Sequence, residues 1–273
     1  MISLTFDDAL VEHLEIAAPI LDAYQLSGTF YVHLAANQFF QRRSEWSALA
    51  DRGHELGGHT IFHPAVSSKN WVSSGIAIDD YSLDRMRHEL TVANDYLTSI
   101  DGFTERSFAY PCSNPNVGKE GYLRRMLPAL GLQRTRVAGW VDRMGIDFGA
   151  TKQRYQDLVS QLYFAARSGG ITLADTAPPA TAMDRFLLAS AAVNGDGLEP
   201  MCEFIERSLA SDGWAILQFH GVGGGHAMNC PQDDFAQLID WIASRYAESV
   251  VTIRDGVKRL QRDGTRLRHL SVR

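Results

Sequence analysis

The sequence predicts an α/β fold, a distorted (β/α) barrel of about seven repeats, from three observations. Apolar runs of strand length alternate with longer stretches of helical spacing along the 273 residues. About seven or eight such repeats fit the length, and barrels of about 250 residues are commonly single domains, so residues 1–273 read as one domain. Carboxylates, imidazoles and a thiol fall just after the strand-like runs, the end at which barrels carry their sites.

The elements follow in order. Ile2–Phe6 reads as a buried strand, and Leu10–Tyr24 as a helix with Leu10, Leu14, Ala17, Ala18 and Leu21 on one face. Gly28 breaks the chain before the strand Thr29–Val32, and the short helix Glu45–Asp51 stops at Gly53. A helix is expected at Leu83–Leu97, a strand at Arg106–Tyr110 ending on Pro111, a helix at Gly121–Leu130 and a strand at Gln133–Val137. A helix over Arg154–Ala166, a strand at Phe186–Ala189, a helix at Leu198–Ala210 and a strong strand at Trp214–Phe219 come next. The helix Phe235–Tyr246, the strand Val250–Ile253 and the helix Asp255–Leu260 close the pattern. Residues 67–81 and 169–182 read as insertions, the second as a surface loop around Pro178-Pro179.

Composition narrows the function. Apolar residues are 45% and charged residues 21%, so a core of ordinary size forms without help from disulfides or a structural metal. The net charge of −6 and the scatter of Lys and Arg argue against nucleic acid as a partner. The basic tail from Lys258 to Arg273 reads as a solvated helix end. Cys112, Cys202 and Cys230 are too few and too dispersed for a disulfide framework, and no CxxC pair exists. No signal peptide and no membrane-spanning run is visible, which gives a cytoplasmic expectation with no membrane partner. The oligomeric state is left open.

The chemistry sits in a few residues. Asp7-Asp8 ends the first strand, and His59 and His63 lie four apart in His-Thr-Ile-Phe-His. One carboxylate and two imidazoles form a facial set for a divalent metal with open positions, and the second carboxylate is free to act as a base. His220, after a late strand, could supply a proton to a leaving group. Each piece alone has a plain structural reading, a helix cap or a pair of ordinary histidines. Together they agree in order, spacing and position at strand ends.

These residues resemble the NodB-homology polysaccharide deacetylases, carbohydrate esterase family four. The resemblance is carried by Thr5-Phe6-Asp7-Asp8, by His59-Thr60-Ile61-Phe62-His63 after Gly-His-Glu-Leu-Gly-Gly, by Phe108-Ala109-Tyr110-Pro111-Cys112, and by Ile216-Leu217-Gln218-Phe219-His220. It implies the family's barrel and hydrolysis of acetyl groups from an N- or O-acetylated carbohydrate. It further implies that Asp8, His59 and His63 bind the metal, most fittingly Zn²⁺, that Asp7 is the base, and that the backbone N–H of Cys112 serves the oxyanion. His220 becomes the acid, and Thr60 fixes the histidine loop.

His220 would need a buried carboxylate to keep it protonated, for which Asp175, Asp184 and Asp255 are open choices. Tyr110 and Arg106 are expected near the site. Trp71 and Trp140 form a substrate wall or pack on the rim, and His226 touches substrate or stays a solvent-facing loop residue. His33 lines the mouth or ends a strand, His54 reads as structural, and His13 and His88 read as surface positions. The chain departs from the family at Ala109, where an Arg that pairs with the base usually stands, and the usual Asp-Trp motif has only Trp140-Val141-Asp142 as a poor substitute. These departures keep a second reading open, a metal-dependent amidohydrolase acting on a non-sugar cyclic imide or ureide. A third, a carbohydrate-binding domain with a dead site, requires a broken metal set, and all three ligands are present.

Overall fold

The computed structural model describes residues 1–73, 75–119, 122–132, 135–137 and 153–264. β1 (Ile2–Asp7) is buried along its whole length and lies near the middle of a seven-stranded sheet. Around it run β2 (Thr29–Val32), β3 (Glu55–Gly58), β4 (Ser107–Ala109), β7 (Ala165–Arg167), β8 (Ala191–Ala192) and β9 (Ala215–Phe219), in the order β7-β4-β3-β2-β1-β9-β8. Every paired neighbour in this sheet is parallel. The short β5 (Asn116–Val117) and β6 (Gln153–Arg154) pair antiparallel beside the sheet.

The sheet curls until its two edges are bridged. The segment before β8 runs along β7, with the Leu188 amide donating to the Ala166 carbonyl and the Ser168 amide to the Leu188 carbonyl. Three residues later the same segment pairs with β9, Ala191 opposite Leu217. This is the distorted (β/α) barrel that the alternating pattern predicts. Helices of amphipathic spacing cover the outside, among them Leu83–Asp101, Leu198–Ala210 and Gln232–Tyr246. Between sheet and helices the rings of Phe6, Phe30 and Phe219 stack at centroid distances of 4.7 and 5.4 Å. No helix among the described residues is long and apolar enough to cross a membrane.

Several boundaries differ from the periodicity. The expected helix Arg154–Ala166 stops at Leu162, and Ala165–Arg167 is a buried strand. Two alanines carry no β signal, and pairing with β4 on one side and with the Arg185–Leu188 segment on the other makes this a strand. The expected strand Phe186–Ala189 makes a single bridge at Leu188, because the chain there is passing from one sheet edge to the other. The expected strand Val250–Ile253 is one bridge at Val250, since Thr252 Oγ1 accepts the Asp255 amide and starts the helix Ile253–Arg262. The helix Asn37–Gln41 carried too few apolar positions to stand out. Of the strand expected at Gln133–Val137, residues 133 and 134 lie outside the described residues and 135–137 form a bend and a helical turn instead, the Thr135 amide donating to the Leu132 carbonyl; Trp140 lies outside the described residues.

The amino ends of the strands are closed by a buried carboxylate. Glu55 accepts the Ser107 amide at 2.7 Å, the Arg254 amide at 2.9 Å and the Thr29 hydroxyl at 3.1 Å. It ties β2, β3 and β4 to the last helix at the end opposite the reactive residues. Replacing it leaves three buried donors without acceptors, each costing on the order of 1–3 kcal/mol. Glu55→Leu is therefore expected to lower the unfolding free energy by about 3 kcal/mol or more in urea titration, and a change below about 1 kcal/mol would remove this latch from the account.

Candidate active site

The carboxyl ends of β1, β3, β4 and β9 deliver the reactive side chains to one mouth. Alternation on a regular strand would send Asp7 and Asp8 to opposite faces. Asp8 escapes it by adopting φ 79°, and Ala9 follows at φ 53°. The same device recurs across the mouth at Thr60 (φ 69°), His63 (φ 51°), Cys112 (φ 51°) and Ser113 (φ 56°). Six of the eight described non-glycine residues with positive φ stand here, a conformation that costs about 1–2 kcal/mol per L-residue.

Asp8, His59 and His63 offer ligand atoms that all lie within 4.8 Å of one another. His59 Nε2 is 3.5 Å and His63 Nε2 3.4 Å from Asp8 Oδ1. The His59 Nδ1–H donates to the Ala109 carbonyl at 2.8 Å, so Nε2 carries the lone pair. Burial pushes His63 down to about 3, leaving it neutral at ordinary pH. Asp8 Oδ1 is itself buried with no hydrogen-bond partner among the described residues. Lone pairs therefore converge on one point, an arrangement that repels itself until a cation sits among them. Two ligands about 2.1 Å from one ion at the tetrahedral angle lie about 3.4 Å apart, which matches the spacing seen. The donor set fits a divalent ion of the zinc kind.

The histidine loop is held from two sides. Thr60 Oγ1 accepts the His63 amide at 3.0 Å. Glu89, buried on the long helix Leu83–Asp101, accepts the Ile61 amide at 3.3 Å and the Tyr81 hydroxyl at 2.5 Å. Glu89 went unnoticed in the sequence because a carboxylate on a helix reads as solvated.

Asp7 is buried and doubly clamped. Arg167 Nη2 donates to Oδ1 at 2.6 Å and to Oδ2 at 2.5 Å, and Gln218 Nε2 donates to Oδ2 at 2.9 Å. Ser190 joins the two donors, taking a hydrogen bond from Arg167 Nη1 and giving one to Gln218 Oε1, both at 3.2 Å. Burial opposes charge on Asp7, but the guanidinium outweighs it and keeps the carboxyl below the usual range. On Asp8 burial likewise opposes charge and is outweighed, here by the facing His59, His63 and His220 rings, which keep the carboxyl well below the usual range.

Arg167 answers the departure at Ala109. The two residues are register partners on adjacent strands, Ala109 on β4 and Arg167 on β7. The guanidinium absent from one position is supplied from the neighbouring strand. It was missed because that strand read as the end of a helix. Arg106, the nearest arginine in sequence, lies elsewhere: its side chain is buried on Asp101, Asn94 and the carbonyls of Leu56 and Phe103. Tyr110 also leaves the mouth and packs with Phe108 and Tyr155 in the core, at 5.3 and 5.1 Å.

His220 Nε2 lies 3.9 Å from Asp7 Oδ2 and 4.0 Å from Asp8 Oδ2. Its Nδ1 is buried without a hydrogen-bond partner among the described residues, so no separate acid holds it charged. Asp175 accepts from Thr172, Asp184 from the Phe186 amide and Asp255 from Thr252. Burial lowers the His220 pKa below 6.5, with Asp7 and Asp8 pulling the other way. Gly223, Gly224 and Gly225 all adopt positive φ and fold the loop back, stacking His226 on His220 at 4.8 Å. Asp7, Asp8, His59, His63, Lys69, Trp71, Cys112, Gln218, His220 and His226 line one cavity of about 380 Å³.

His13 is buried rather than exposed, because the helix starts with a π turn at His13–Ala17 packed under the site. Its Nε2–H donates to the His220 carbonyl at 2.7 Å. His54 is an internal strut, accepting the Gly28 amide and bonding Asp22.

The fold is that of the family-four carbohydrate esterases. An acetyl xylan esterase from Clostridium thermocellum, solved with a cobalt ion, superposes with a TM-score of 0.50 at 18% identity, over 97% of this chain and 93% of its own. The Xyl-CE4 domain of a multidomain xylanase from the hindgut metagenome of Trinervitermes trinervoides gives 0.49 at 13% identity, over 97% and 92%. A family-four carbohydrate esterase from Bacillus anthracis gives 0.47 at 15%, over 94% and 82%. No curated protein matches the sequence. Residues 1–131, just under half of the chain, match the polysaccharide deacetylase family model.

Two predictions arise from these neighbours. Burial holds His13 at about 4 against 6.5. Unfolding lets it bind a proton below pH 6.5, so the stability tied to its neutral form is full above that pH and falls as pH drops toward 4. Wild type is expected to lose about 2 kcal/mol more than His13→Gln between pH 6.5 and about pH 5, by denaturant titration; equal losses would count against it. Arg167→Met removes the charge that depresses Asp7, so the acid limb of the kcat/KM profile for acetate release should move to higher pH, and Arg167→Lys should move it less. An unmoved limb would separate Arg167 from Asp7 function.

Proposed function

We propose that the protein is a metal-dependent carbohydrate deacetylase, and one observation carries the reading: two imidazole lone pairs and an unpartnered carboxylate oxygen converge at 3.4–3.5 Å in a cleft. Asp8, His59 and His63 would hold a divalent ion, most fittingly Zn²⁺, which when bound supplies Lewis acidity toward a water and an acyl oxygen.

The chain's own groups do the rest. Asp7 accepts a proton from the attacking water, and Arg167 and Gln218 keep its carboxylate oriented and ionised. His220 starts neutral, because burial lowers its pKa. Standing 3.9 Å from Asp7, it receives the proton and passes it to the departing nitrogen or oxygen. The backbone N–H of Cys112, at the start of the strained turn after β4, donates to the oxyanion. Thr60 and Glu89 hold the loop that carries both histidines, and His226 and Trp71 bound the space left for the sugar. The half-exposed Trp71 ring, at 52%, favours a sugar over a cyclic imide in that space.

Acetate release from chitooligosaccharides or acetylated xylan is expected with Zn²⁺-loaded protein and is expected to vanish with chelator and return with metal. Cyclic-imide opening without acetate release would replace this reading with the amidohydrolase one. Asp7→Asn should keep bound metal and lose about a hundredfold or more in kcat; loss of the metal instead would exchange the roles of the two carboxylates. His220→Ala should cost about a hundredfold on an amide substrate, and unchanged turnover would take it out of the proton path.

A further inference from the structure

His220 lacks the hydrogen bonds that ordinarily orient an imidazole at a reactive site. A histidine so placed usually gives its second N–H to a carboxylate or carbonyl, which fixes both tautomer and ring direction. The His220 Nδ1 is buried with no such partner among the described residues. Its Nε2 stands 3.9 Å from Asp7 Oδ2 and 4.0 Å from Asp8 Oδ2, beyond hydrogen-bond length. His13 holds the backbone alone, donating from Nε2 to the His220 carbonyl at 2.7 Å. A group that delivers a proton must nevertheless stay aimed to within about 10–20°.

What the ring does have is a second ring lying on it. His226 stacks on His220 with centroids 4.8 Å apart and planes 19° from parallel. The other histidine pairs of the mouth are crossed, His33–His63 at 54° and His59–His63 at 60°. Crossed rings suit lone pairs that converge on one point, whereas a flat stack suits restraint. Rotation of His220 about its Cβ–Cγ bond would drive a ring edge into the face of His226, and close-packed groups resist that overlap.

His226 is itself fixed, although it is exposed. The Met228 amide donates to its Nδ1 at 3.0 Å. Gly221 and Val222 pair in register with Asn229 and Cys230, and the Gly223 amide donates to the Cys230 carbonyl at 2.8 Å. The Gly224 amide donates to Asn229 Oδ1, also at 2.8 Å. A Cβ at Gly221 would overlap the Gly224 carbonyl oxygen, and one at Gly225 would overlap the Glu12 carboxylate. The glycines therefore serve close approach of the loop to itself and to its neighbours, and the loop carries His226 back over His220.

We propose that His226 is a positioning residue that holds the His220 ring in its proton-delivering orientation by stacking, in place of a hydrogen bond on Nδ1. The assignment rests on the deacetylase reading above, in which His220 passes a proton to the departing atom. The flat face is what matters, so another aromatic ring at this position serves the same purpose.

The test compares wild type, His226→Ala and His226→Phe, all Zn²⁺-loaded, on substrates of different leaving group. Chitooligosaccharide or acetylated xylan, whichever releases acetate, needs its departing atom protonated; 4-nitrophenyl acetate releases a phenolate that needs no proton. His226→Ala is expected to lower kcat on the carbohydrate by about tenfold or more, part of what a general acid supplies, and to change KM far less. Its loss on the nitrophenyl ester is expected to be several times smaller, and His226→Phe is expected to recover most of kcat. Equal losses on the two substrates, a loss confined to KM, or a Phe variant as slow as the Ala variant overturns the inference. Crystal structures of the three proteins give a readout independent of turnover. One His220 ring orientation is expected in wild type and His226→Phe, and a turned or multiply placed ring in His226→Ala. A His220 ring that keeps its place in His226→Ala overturns the inference at any level of activity. A ring that turns, while neither carbohydrate releases acetate, overturns the deacetylase reading and leaves the hold of His226 on His220 standing.

Discussion

Two adjacent carboxylates at the end of one strand, Asp7 buried and Asp8 half-buried, repel each other, and the surroundings of the mouth offset that repulsion. Asp7 is given a guanidinium and an amide, and Asp8 is given two imidazoles. The pairings differ in kind. A guanidinium fixes charge permanently, so Asp7 stays a carboxylate with its orientation set. Neutral imidazoles bring lone pairs and no charge, so Asp8 keeps an unmet demand for a cation. One dipeptide is thereby divided into a proton acceptor and a ligand by what faces each half.

Holding this division requires backbone that no relaxed strand provides. The positive φ values at Asp8, Thr60, His63 and Cys112 turn side chains toward a common centre that a regular strand would scatter. The strain is stored at the carboxyl ends, and the opposite end is locked by Glu55 and its three donors. The molecule separates its tasks along the barrel axis, with cohesion at one rim and chemistry at the other.

The fold was legible where hydrophobic runs were long, as at Ile2–Asp7, Thr29–Val32 and Ala215–Phe219, and illegible where a strand is only two or three small residues. β7 is the costly case, because reading Ala165-Ala166 as helix hid Arg167. The ligand set Asp8, His59 and His63 was visible from type and spacing. The clamp on Asp7 was not, since Arg167 on β7, Ser190 just before β8 and Gln218 on β9 are brought together only by tertiary pairing. Glu89 and His13 were hidden for another reason: a polar residue on a helix looks solvated until the neighbour that covers it is known. Arg106 illustrates the reverse error, a charged residue near the motif in sequence whose partners lie at the outer face of the sheet.

Ala109 and Arg167 sit opposite each other in one hydrogen-bonded ladder. Two lattice points of a sheet that are rungs of the same ladder are close neighbours in space, although 58 positions apart along the chain. A positive group that serves the mouth has two addresses from which to reach it, and a chain that vacates one is free to occupy the other. A signature defined along a single segment is blind to that exchange; one defined on the ladder would recognise both versions as the same machine.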